Sequence, residues 1–185
     1  MRSIIYVLLS LTICLLIGCQ DTANQPAPTE PNDNNQTADE FLSIRDFQDS
    51  FHGDNVKNDL LEITEGEEEL TLSIEVAITQ ELLHKLQNTT NEFYYTFADL
   101  EGSNEVSEAL EELPRPIEGQ ALIDSLNEES SHFIVQQELH IKNNVTQDQL
   151  DYLTNPANYE LQTLDEERLP VHAIIGLDIS TFDTL

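Results

Sequence analysis

Glu138 and His140 stand two residues apart, the spacing that puts two side chains on one face of a strand and could aim both at a single metal ion. His132 lies eight residues before His140, roughly 26 Å along an extended chain, too far to complete that site. A second oxygen-rich segment, DLEGSNE, alternates Asp99, Glu101, Ser103 and Glu105. It has part of the pattern of a calcium loop, but lacks the glycine at the sixth position and the bidentate acid at the twelfth. A third patch, EGEEE over Glu65 to Glu69, reads as a solvated turn between strands. There is no G-x-S-x-G, no phosphate-cradling glycine loop, no H-E-x-x-H and no cysteine pair in the folded part. The expectation is therefore a chain that is not an enzyme, with no cofactor, no catalytic residue and no assigned metal ligand. A wall-polymer hydrolase built on paired acids is the weaker alternative, since carboxylate separation in space would decide it.

The elements carrying these residues repeat. Shifted by 67 positions, the segment from Leu72 to Phe97 pairs Leu72 with Leu139, Ile74 with Ile141, Thr79 with Thr146 and Gln80 with Gln147. The same shift pairs Leu83 with Leu150, Leu86 with Leu153, Asn88 with Asn155, Asn91 with Asn158 and Thr96 with Thr163. In copy one Leu70, Leu72, Ile74, Val76 and Ile78 alternate with polar or small residues. In copy two Phe133, Val135, Leu139 and Ile141 alternate with Ile134, Gln136, Glu138 and His140. Both are the period of a strand buried on one face.

Around those strands each copy should hold the same parts. A preceding strand, Leu60 to Thr64 or Ala121 to Leu126, would form a hairpin through EGEEE or NEESS. Thr79 or Thr146 would cap a short helix carrying Leu83 and Leu86 or Leu150 and Leu153, stopped near Asn88 or Asn155. A further strand comes next, Glu92 to Ala98 or Tyr159 to Leu164. A helical insertion from Glu105 to Leu113 would close at Pro114, and the apolar stretch after Pro170 would be a last strand. Phe41, Ile44, Phe47 and Phe51 suggest a helix from Ala38 to Phe51 ahead of the repeats. The fold expected is mainly β or α+β: an internally duplicated, antiparallel β-rich domain with short helices, as two small sandwiches or one composite body. The context of Tyr159, NPANYELQ, is similar to the approach to the tyrosine corner of immunoglobulin-like sandwiches, with Phe93 and Tyr94 in its place in copy one.

Charge narrows the partners. The chain has 185 residues, with 36 Asp or Glu against 7 Lys or Arg and a formal charge of −29. Phosphate neutralisation needs cations that it lacks, so nucleic acid and polybasic membrane contact are excluded as partners. Such an acidic surface resists association and suits salty or alkaline surroundings.

The N-terminus sets the place. Arg2 precedes an apolar run from Ile4 to Ile17 that ends in Leu16-Ile17-Gly18-Cys19. This resembles the signal peptide and lipobox of bacterial lipoproteins. The resemblance implies cleavage after residue 18, diacylglycerol on the Cys19 thiol and an extracytoplasmic lipid anchor in the cell membrane, in a Gram-positive bacterium. Gln20 to Glu40, rich in Asn, Thr and Pro, reads as a disordered tether spanning roughly 25 Å. The expected organisation is a signal peptide over 1–18, lipidated cysteine and linker over 19–40, a first repeat over 41–118 and a second over 119–185. The expected role is non-catalytic: binding or scaffolding another envelope component, such as a protein, or else a small molecule or divalent cation.

Overall fold

A computed structural model describes residues 43–127 and 131–182, apart from the side chain of Glu101. The expected signal peptide, Cys19 and the expected tether lie outside the described residues, as do residues 38–42 of the helix expected ahead of the repeats. Ser43 leads into a 3-10 helix, Ile44–Ser50, with a break at Phe47. Ser43 and Asp46 form a reciprocal capping box at its start, and Ile44 and Phe47 are buried.

Two four-stranded antiparallel sheets enclose one apolar core. In the first, β1 (Val56–Asn58) and β2 (Glu62–Glu65) both pair one side of the long central strand β3 (Glu69–Ile78). The other side of β3 pairs β6 (His132–His140). Strands β3 and β6 alternate buried and open residues along their whole length, as the period of two requires. The second sheet runs β5 (Ile117–Glu118), β4 (Tyr94–Asp99), β7 (Tyr159–Leu164), β8 (Pro170–Ile174). The inner faces meet where the Tyr95 and Phe133 rings lie 5.5 Å apart.

Each sheet mixes strands of both copies, so neither copy forms a sandwich by itself. β3 pairs its counterpart β6, and β4 pairs β7. Leu70 faces Leu139 and Leu72 faces Gln137, which are each other's counterparts at a shift of 67, so a local twofold passes through Thr71 and Glu138. The two helices α1 (Gln80–Gln87) and α4 (Gln147–Leu153) each start on a threonine whose hydroxyl accepts a backbone N–H, from Leu82 and Gln149.

The symmetry then slips by one residue. Helix α1 is capped at Asn88 but α4 at Thr154, one position early, leaving Asn155 to cap the 3-10 turn Pro156–Asn158. Phe93, Tyr95 and Phe97 are buried in copy one and Tyr159, Leu161 and Thr163 in copy two, a shift of 66. The match of Thr96 with Thr163 therefore does not survive: Thr96 faces outward and Thr163 inward.

Two expected elements differ. Ala121 to Leu126 is not a strand; Gly119–Ile123 is helix α3, so among the described residues copy two lacks the first strand of the expected hairpin. Leu122, Ile123 and Leu126 fall at helical spacing, with Ile123 and Leu126 buried. Gly119 sits so close to the Phe93 ring that a Cβ there would overlap it. The helix expected up to Leu113 is only Glu105–Ala109 (α2), because Leu110 turns extended and bridges Ile141. Burial of Leu110 against the core outweighs continuation of the turn.

Candidate binding edge and clefts

The metal candidates are dispersed by the strands that carry them. His140 and Glu138 do share the open face of β6, but His140 Nδ1 points toward Glu69, 4.0 Å away on β3. His132 Nδ1 lies 2.8 Å from Glu75 Oε1, so each histidine meets an acid of the neighbouring strand. Asp99 is already committed: its two oxygens accept from the Ser103 hydroxyl and the N–H groups of Val106 and Ser107, capping α2. Glu65 to Glu69 make the exposed β2–β3 turn, closed by Gly66 N–H donating to Glu69 O. Among the described residues no three His, Cys, Asp or Glu side chains are grouped to hold a metal ion.

Among the described residues, the outer edge of β6 has unused hydrogen-bonding capacity. Ile141 N donates to Glu68 O and Ile78 N to Ser131 O, which fixes odd-numbered residues of β6 as those bonded to β3. The N–H and C=O groups of Ile134, Gln136 and Glu138 therefore point away from the sheet. Among the described residues no hydrogen bond reaches them, whereas His140 O accepts from Glu111 N. Past Glu111 the chain leaves β6, and a cleft of about 510 Å³ opens between that edge and the strap from Glu112 to Ile117.

Gln137 holds the strap. Sequence reading passed over it, although a polar residue at the inward phase between Val135 and Leu139 is itself a signal. It is buried, its Oε1 accepts from Phe97 N at 2.9 Å and its Nε2 donates to Arg115 O at 2.8 Å. It thus ties β6, β4 and the strap together and satisfies backbone groups that β5 is too short to reach. Ile134, 57% exposed on the otherwise polar face, is the second residue that its phase should have marked.

A second cleft, about 460 Å³, lies across the strap on the outer face of the other sheet, over Thr96, Ala98 and Gln162. Gly102, Asn104 and Arg168 on its rim all have positive φ, from 62° to 67°, strained for the latter two. The Arg168 guanidinium lies 5.3 Å from the centre of the Tyr94 ring.

Behind the clefts, the turn after β7 is locked to the start of the domain. Asp165 is buried and accepts from the N–H groups of Glu167 and Leu169 and from Arg45 Nε. Burial raises its pKa, but the Leu169 N–H and the Arg45 guanidinium outweigh that and hold the carboxyl below the ordinary carboxylate value. Glu166 accepts from the Ser43 hydroxyl and from Asn91 Nδ2.

No protein-family model matches the chain, and no curated protein and no solved structure matches it. Among the described residues no helix is long and apolar enough to cross a membrane.

Proposed function

We propose that the chain is a lipid-anchored, non-catalytic protein of the bacterial cell envelope that binds or scaffolds another envelope component. The observation that carries this reading is the edge of β6, unpaired among the described residues and beside an open cleft, because a sheet edge left uncovered is a template for another chain. The lipobox at Cys19 and the polar tether support the placement, with the acyl chains on the membrane and the acidic body beyond it. Crosslinking in native membranes through a photoreactive side chain at Ile134 tests the reading. A discrete, saturable adduct is the expected result. Recovery of bulk membrane proteins in proportion to their abundance overturns it.

The second reading, an accessory protein for a small molecule or divalent cation, draws on the other cleft, where three residues of positive φ meet. A ligand of the folded state raises the melting temperature as it saturates. An unchanged melting temperature in millimolar calcium ends the cation version.

A further inference from the structure

We infer that the partner engages as an extended, basic segment that adds a strand to β6 at Ile134, Gln136 and Glu138. The inference rests on the envelope-binding reading and specifies its partner.

The other edges of the two sheets are blunted. Opposite β6, the C-terminal segment bonds to β1 and to the residue before β2: Leu61 N donates to Leu177 O, and Thr181 N to Asn58 O, both at 2.8 Å, and β2 itself is only four residues long and carries two exposed glutamates. β5 has two residues. β8 begins with Pro170, and its His172 ring stacks on Phe51 at 5.4 Å. The exposed stretch of β6 carries no proline, lysine or bulge, the usual protections of an edge. Its three outward residues offer N–H and C=O groups to about five residues of added strand, roughly 17 Å.

Side chains set the sign of the charge. On the solvent face the added strand would lie beside Ile134, Gln136 and Glu138, with Glu69 and Glu75 one strand further in. Toward the cleft it would meet Leu113, Ile117 and Glu112. Lys or Arg opposite Glu138, alternating with apolar residues turned to the cleft, fits both faces. An acidic segment is repelled, and so is a second copy of a chain at −29.

The test uses the full-length lipoprotein in detergent and the peptide acetyl-KVKVKVK-amide, followed by fluorescence anisotropy and amide hydrogen exchange. Binding should slow exchange at the amides of Ile134, Gln136 and Glu138. Acetyl-EVEVEVE-amide should not bind. Gln136→Pro removes an outward N–H and leaves the ladder to β3 intact, so it should weaken binding at least tenfold; Glu138→Lys should weaken it severalfold. As a control for any effect of Gln136→Pro on folding, a KVKVKVK peptide N-methylated along one edge gives the same readout on unaltered protein and should lose binding. No binding of KVKVKVK, equal binding of the acidic peptide, or indifference to Gln136→Pro and to N-methylation each overturns the strand mode. Self-crosslinking through Ile134 with a dimer in sedimentation also overturns it, in favour of a second copy. If the native-membrane adduct at Ile134 persists when these fail, the partner reading stands and the strand mode alone is wrong.

Discussion

Tyr159 Oη donates to the carbonyl oxygen of Leu153 at 2.6 Å, and both residues are fully buried. The bond ties the first residue of β7 to the last turn of α4 and spans the 3-10 turn between them. This is the geometry of a tyrosine corner, in which the hydroxyl returns to backbone a few residues upstream. Tyr159→Phe keeps the packing and leaves the Leu153 carbonyl without that donor, at a cost of about 1–3 kcal/mol. Urea unfolding of the two proteins measures it; identical midpoints and slopes would mean the bond contributes nothing.

Gly119 is fixed by contact. Its N–H donates to Phe93 O while the Phe93 ring, 1% exposed, fills the space a side chain would take. Gly119→Ala should destabilise the domain by about 1–3 kcal/mol through overpacking. Pairing it with Phe93→Leu should recover part of the loss. Full additivity of the two substitutions would show that the contact is not the cause.

Acid should weaken the fold at two groups. Burial holds the His172 ring below its ordinary value of 6.5, so the folded state binds fewer protons there than the unfolded chain. Its contribution is intact above that value and is lost as the pH falls below it. Asp165, held below 3.8, keeps its contribution to lower pH and loses it as the pH falls through its depressed value. The background of 36 acidic residues is shared by wild type and variants, so differences isolate each group. Between pH 7.5 and 5, His172→Phe should lose less stability than wild type while retaining the stack on Phe51. Parallel pH curves would rule out a role for the ring's protonation.

The proposed anchor is tested at one sulfur. Cys19→Ser should abolish metabolic acyl labelling and move the protein from the membrane fraction to the medium. Globomycin should block cleavage of the wild-type precursor at the same point. Labelling that survives Cys19→Ser would place the lipid elsewhere.

Residues with a strong local period are legible from the sequence. The alternation from Leu70 to Ile78 and the threonines 79 and 146 declare a strand and two helix starts from neighbours alone. Tyr159 to Leu164 coincides with β7. Elements fixed by distant contacts were not legible: α3 depends on Phe93, and β5 has two residues whose ladder partners lie on β4. The repeat was readable through the helices, but a helix one residue shorter in copy two shifts the phase of the strand after it. At the proposed binding edge the face of Glu138 and His140 was evident, whereas the direction of their backbone groups depends on pairing with β3, which no local pattern encodes.

Asn58 is the place where the ends of the folded body meet, since its backbone and side chain bond with Thr181 and Ile179. A ribosome delivers these groups in order, separated by more than a hundred residues. The first sheet therefore gains its last seam only once Thr181 has emerged. Such distant closure slows folding and leaves the nascent chain loose until nearly all of it has been made.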